Sequence, residues 1–344
     1  MFFNTPIEED DGVLTGPARG PRQMLAVQDH DGHASIHDDA TAQAIGFKGG
    51  TIEGPTHFSQ FVPLAFSVWG ERWLTHGCLS AHYRAPAFEG EQVRAYMRKP
   101  EEGADIAEIW MMRDDGTEIL HGTASVGPNF PTSALENRLS ALKPLTDPVI
   151  LADLRVGEIM PRTRVRMDFD QHMGPLYPFT LSEKLKLITE PSSLYTGTDN
   201  PYERPITPLE MISVLSQYTA REDGPARREP VVGLFADQEI RLIDGPVYVG
   251  EDYEIEREVV FLSGSRRTES VWSRTTIYRP GTTHAVAEVL LNNAYIQETY
   301  APYAEEYAAL YAQQRGGKYR ELKPGNYCEL VAGSLAVPVN AVIS

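Results

Sequence analysis

Two stretches 160 residues apart carry the same pattern, Pro-x-aromatic-x-Gly-Glu: Pro86-Ala87-Phe88-Glu89-Gly90-Glu91 and Pro246-Val247-Tyr248-Val249-Gly250-Glu251. Each stands at the same place within a larger unit. In the first unit, the segment from Gly54-Pro55-Thr56 to Leu74 opens with helix-start chemistry and is apolar almost all round, the mark of a buried helix. Short strand-like runs follow at 79–83, 91–98, 107–113 and 118–126, with Asp115-Gly116 as a hairpin signal. The second unit repeats the order, with a helix over 208–219 and strands over 235–243, 251–262, 268–278 and 285–296. Trp110 and Trp272 then fall near equivalent strand positions. A repeated helix-then-meander unit predicts one duplicated assembly instead of two unrelated domains. The seam lies near 128–160, where Pro128, Pro131, Pro144, Pro148 and Pro161 interrupt any long element. The expected halves are 1–150 and 151–344, the second ending in a helical tail that begins in a tyrosine-rich stretch at 295–311.

Composition narrows the function classes. The chain has 344 residues, 42% of them hydrophobic, which is a globular balance. Lys and Arg number 31 against 48 Asp and Glu, a net charge of −17, which argues against binding nucleic acid by counterion release. Two cysteines, Cys78 and Cys328, are too few for a disulfide framework and favour a reducing, cytoplasmic setting. The first residues lack the basic and apolar regions of a signal peptide. The longest apolar run, 58–69, is broken by Ser59, Gln60, Pro63 and Ser67, so no membrane span is expected.

The densest chemistry lies in His30-Asp31-Gly32-His33-Ala34-Ser35-Ile36-His37-Asp38-Asp39. An imidazole and a carboxylate within hydrogen-bond reach can hold a water molecule, take its proton and return a proton to carbon. Two plainer readings stand beside that one. The run can be a solvated loop in which Asp38 or Asp39 caps a helix. Alternatively, His30, His33 and His37 can ligate a metal, although their spacing matches no strong signature.

Ile36-His37-Asp38-Asp39, continuing through Ala42 and Gly46-Phe47 to Ile52-Glu53-Gly54-Pro55, resembles the motif of the MaoC-like acyl dehydratases and (R)-specific enoyl-CoA hydratases. His82 to Glu91 resembles the strand-turn-strand segment of the same family. The resemblance covers about residues 20–127. It implies an α+β double hotdog, each half a long buried helix wrapped by an antiparallel sheet. It further implies hydration or dehydration of a 2-enoyl thioester by an Asp/His pair, a hydro-lyase activity.

Under that resemblance His37 is the catalytic histidine and Asp31 the first choice of carboxylate. The family's aspartate position, five residues before the histidine, is occupied by Gly32, so Asp38 and Asp39 stand as further candidates. Gly54, Thr56 and His57 would bind substrate, the thioester oxygen resting on backbone N–H groups at the start of the buried helix. Coenzyme A enters as part of the substrate. No metal, other cofactor, nucleic acid or membrane is called for, and a homodimer is expected. In the second half, Tyr195 to Tyr202 resembles a worn copy of the motif, with tyrosine for histidine. Two alternatives share the scaffold: an acyl-CoA thioesterase, and a non-catalytic ligand-binding protein.

Overall fold

The computed structural model describes residues 2–28 and 35–315. Eleven strands form one antiparallel sheet: β1 (Glu8–Asp10), β2 (Val13–Thr15), β3 (Gly77–Tyr83), β4 (Val93–Arg98), β5 (Ile106–Arg113), β6 (Glu118–Val126), β7 (Thr163–Arg166), β8 (Gly233–Leu242), β9 (Asp252–Gly264), β10 (Thr268–Tyr278) and β11 (Ala285–Ile296). Their order is β1-β2-β4-β5-β6-β3-β8-β11-β10-β9-β7. Apart from β1, the order reads as a palindrome about the β3–β8 junction. Thus β4 matches β9, β5 matches β10 and β6 matches β11. The strands expected from the sequence all form, most of them within two residues of the expected limits.

The helices are α1 (Asp39–Ala44), α2 (Phe61–Trp69), α3 (Glu71–His76), α4 (Ala134–Ala141), α5 (Leu181–Leu185), α6 (Leu209–Gln217), α7 (Ala220–Asp223) and α8 (Tyr303–Arg315). A 3-10 turn over Gly54–Gln60 runs directly into α2 and packs against α6 from the other half. Phe58, Phe61, Leu64 and Ala65 are fully buried, and every residue of α6 is buried. Neither helix is the long uninterrupted rod expected. In the first half Pro63 has no N–H to offer the carbonyl four residues back, so α geometry begins only at Phe61. Gly70, at φ +56, then separates α2 from α3. In the second half α6 spans nine residues.

The repeated motif has the same task in both halves. Thr51 bridges Phe88 as Ile206 bridges Tyr248. Ile52 N–H donates to Ala87 O at 2.8 Å, and Thr207 N–H to Val247 O at 2.7 Å. Gly90 and Gly250 both take positive φ, +89 and +75, where a β-carbon is strained. Proline, aromatic and glycine together therefore fasten the entry of each buried helix to the turn before β4 or β9.

Between the halves, β3 and β8 pair from Cys78↔Arg241 to His82↔Asp237. Asp237 is fully buried and takes His82 Nδ1 at 2.6 Å, Arg138 Nε at 2.9 Å and Asn292 Nδ2 at 2.7 Å. These contacts on one buried carboxylate join the seam helix α4 to the junction through the Arg138 ion pair. α4 starts with a full capping box, Ser133 with Glu136, and buries Leu135 against Trp272 and Leu290. Trp110, on the first half, stays half-buried, stacked on Tyr96.

Candidate active site

The segment that follows the undescribed residues 29–34 is shaped by local rules. Ser35 forms a parallel bridge with Gly233 of β8, tying the start of the segment to the second half. Asp38 is the N-cap of α1, its Oδ1 accepting the Thr41 N–H at 2.8 Å, and that bond holds its carboxyl below the ordinary range. At the other end Gly46 N–H donates to Gln43 O and Phe47 N–H to Ala42 O, with Gly46 at φ +98. This is a complete Schellman ending. It explains the sequence motif: Ala42 is buried beneath the turn, Gly46 supplies the left-handed residue, and Phe47 is delivered to the cavity wall.

His37 sits immediately before the cap, half-buried. Its Nδ1 lies 2.8 Å from Thr51 O. A carbonyl oxygen only accepts, so Nδ1 donates to it, and in the neutral ring Nε2 is the nitrogen that holds the lone pair. Nε2 has no hydrogen-bond partner among the described residues. Two contacts hold the ring's backbone in place. Asp39 Oδ1 accepts the Gly50 N–H at 2.7 Å, and Gln23 Nε2 donates to His37 O at 3.2 Å. Gly50 is required here: a β-carbon would fall 2.2 Å from His37 O.

His37 borders a cavity of about 230 Å³ that runs between the halves. The first half contributes Ile36, Phe47, Thr51 to His57, Tyr83 and Ala87; the second contributes Leu176, Tyr177, Phe179, Lys184, Glu210 and Val214. Exposed Arg221 and half-buried Arg227 stand on the same wall. Arg84 and Arg98 pair instead with Glu118 and Glu108 on the sheet. None of the four tryptophans lines the cavity.

The cavity receives His37, Gly54, Thr56 and His57 together. Gly54 packs so closely on Tyr83 that a β-carbon would meet its ring at 2.5 Å. Its amide, at the first turn, makes no hydrogen bond among the described residues. The Thr56 amide is engaged, donating to Glu53 O at 3.0 Å, which narrows the backbone donor expected at this turn to Gly54. Asp38 and Asp39 are both committed to backbone N–H groups, as the plainer reading of the run anticipates for a cap. Asp31, His30 and His33 lie outside the described residues. Among the described residues no three His, Cys, Asp or Glu side chains converge as a metal site, and no helix is long and apolar enough to cross a membrane. Tyr202 is set away from the cavity, edge-on to Tyr248.

Two buried residues escaped the sequence reading, Lys184 and Glu210. Lys184 Nζ donates to Thr56 Oγ1 at 2.8 Å and stands 3.8 Å from Glu210. Burial pushes the Glu210 carboxyl up to about 7, Lys184 opposing and Glu53 adding to the rise. Burial, with Lys184 beside it, pushes His57 down to about 4. A glutamate amid the apolar letters of α6 was a readable signal for one of them. Lys184 carried none.

Several solved structures share this architecture. A protein assigned as a MaoC domain dehydratase from Chloroflexus aurantiacus aligns with a TM-score of 0.51 at 11% identity, over 86% of this chain and 95% of that one. Rv0216 of Mycobacterium tuberculosis, which has a double hotdog fold, aligns at 0.49 and 10% identity, over 79% and 90%. A protein assigned as an oleoyl thioesterase from Lactobacillus plantarum aligns at 0.39 and 11% identity, over 83% and 96%. No protein-family model and no curated protein matches the chain. At these identities the likeness is one of fold. The chain is an α+β double-hotdog protein, with a cavity shared by its two halves and a histidine on the wall whose Nδ1 faces a carbonyl oxygen.

Proposed function

We propose that this double hotdog is an acyl-thioester hydratase/dehydratase, adding water to or removing it from a 2-enoyl group, with His37 as the acid–base residue. The observation that carries the reading is the tautomer of His37. Thr51 O fixes the proton on Nδ1 and leaves Nε2 as a base on the cavity wall that also holds the Gly54 amide. In the hydration direction, His37 Nε2 takes a proton from water as the oxygen attacks the β-carbon. Negative charge moves to the thioester oxygen, where the Gly54 N–H and the start of the helix stabilise it. A proton returned to the α-carbon completes the addition. Asp31 is the carboxylate proposed to share the water with His37. Arg221 on the cavity wall supplies the local positive charge that a coenzyme A carrier needs on a chain of net charge −17, whereas Arg227 beside it is paired with Glu229.

The test is a panel of 2-enoyl-CoA and saturated acyl-CoA esters followed by enoyl absorbance and free thiol in parallel. Loss of enoyl absorbance without thiol release supports the proposal. Thiol release from saturated esters transfers the site to the thioesterase reading, and binding without either change to the ligand-binding one.

A further inference from the structure

The cavity changes character away from His37. Lys184, on α5 of the second half, crosses to the first half's helix and is 4% exposed. An ammonium has three donors. One goes to Thr56 Oγ1, and the Glu210 carboxyl at 3.8 Å is beyond hydrogen-bond range. Glu210 is 2% exposed, its carboxyl held near Lys184 by charge at 3.8 Å and short of a close hydrogen bond on either oxygen, and His57 Nδ1 is buried without a hydrogen bond beside the same space. All three line the cavity that holds His37. A plain alkyl chain entering here would seal these groups from water without giving them partners, which is a costly outcome for buried donors and acceptors.

We infer that Lys184 forms a carboxylate subsite: the acyl group bears a carboxylate that takes the uncommitted Lys184 N–H groups, making the substrate the half-thioester of an unsaturated dicarboxylic acid. The inference rests on the hydratase reading for the reaction, and on the cavity alone for the binding. A protonated Glu210 adds a donor to the incoming carboxylate, and Thr56 holds the ammonium from behind. The 3-10 turn of the first half and α6 of the second thus meet around the charged end of the substrate.

The binding arm of the test uses saturated thioesters, which have no double bond to hydrate: glutaryl-CoA against pentanoyl-CoA, titrated calorimetrically into the full chain. The wild type is expected to favour glutaryl-CoA by about tenfold or more, the effect of one well-made charged hydrogen bond. In Lys184→Met, folded by circular dichroism, the ratio should fall to about one. Equal affinities in the wild type, or a ratio untouched by Lys184→Met, overturn the subsite. If Lys184→Met does not fold, Glu210→Gln serves. It keeps the ammonium and replaces the protonated carboxyl with an amide that still donates, so the ratio must hold or rise, and a fall to one contradicts the subsite. The turnover arm compares glutaconyl-CoA with 2-pentenoyl-CoA. A tenfold preference for glutaconyl-CoA supports the subsite and a preference for 2-pentenoyl-CoA overturns it. If neither is hydrated while the glutaryl-CoA preference stands, the reaction reading fails and the subsite does not.

Discussion

The segments that lead into the two buried helices, 35–53 in the first half and 167–206 in the second, end on the same anchor and do different things before it. Both hand over to the helix through a bridge to the motif aromatic, Phe88 or Tyr248. The first is a capped turn, Asp38 to Phe47, folded tightly enough to set one histidine on the cavity wall. The second winds through the capping box of Thr180 and Glu183 and contributes Leu176, Tyr177, Phe179 and Lys184 to that same cavity. The two halves share one scaffold. The difference between their overhanging segments puts His37 on one side of a single cavity and Leu176, Tyr177, Phe179 and Lys184 on the other.

Removing the acid–base side should have the largest effect. His37→Ala is expected to lower kcat by about a thousandfold, within the usual range for a general acid–base group, with circular dichroism unchanged. Retention of turnover in the folded variant would remove His37 from the chemistry.

The second-half side should show itself in pH dependence. Glu210 is raised to about 7 from the ordinary 4.5, mainly by burial. It faces Lys184 on α5, Glu53 before the 3-10 turn, and Tyr195. Because the folded state holds its proton more tightly, this group's contribution to stability is present below about 4.5 and is lost as pH rises through about 7, on the order of 3 kcal/mol. His57, lowered to about 4, has the opposite sign: its share is present above 6.5 and lost as pH falls towards 4. Urea unfolding between pH 5 and 8 should therefore show a decline towards high pH that Glu210→Gln flattens. An unaltered slope in that variant would place the decline elsewhere.

Gly50→Ala sharpens the first-half side without touching a reacting atom. Its β-carbon must displace His37 O, and a shift of that size at a catalytic ring is expected to cost about a hundredfold in kcat while KM stays within severalfold. Asp38→Ala removes the cap of α1 and should lower stability by about 1 kcal/mol in urea titration, with turnover within tenfold. A loss in turnover as large as that of His37→Ala would make Asp38 the carboxylate partner. The smallest effect is expected at Tyr202→Phe, whose hydroxyl is buried and unpartnered away from the cavity. Turnover should stay within about threefold, and a larger loss would mean that the second copy of the motif is not worn down.

Much of this comparison was legible in the letters. The motif at 86–91 and 246–251 marks two helix anchors because its glycines need positive φ and its aromatics fill the same bridge. Strand limits followed from alternation and hairpin chemistry. His37, Gly46, Phe47 and Gly54 stood out in the sequence through the clustered histidines and the resembling motif, and the structure gives local reasons for part of that motif: Asp38 caps α1, Gly46 takes the left-handed position and Gly54 packs on Tyr83. Lys184 was not readable. Its environment is made by Thr56 and Glu210, 128 and 26 residues away along the chain, and an α5 lysine has the same letters around it whether it meets water or a cavity. The helix rods were overestimated because apolar letters on every face do not reveal that Pro63 and Gly70 divide the run.

The proposed reaction adds water to the β-carbon of a thioester that stays intact. Turnover of a 2-enoyl-CoA in water enriched in heavy oxygen, with the products resolved by mass spectrometry, tests it directly. The expected product is an intact thioester that has gained one labelled water as a hydroxyl, in an amount that His37→Ala abolishes. Label in a free carboxylic acid, accompanied by free coenzyme A, would contradict it.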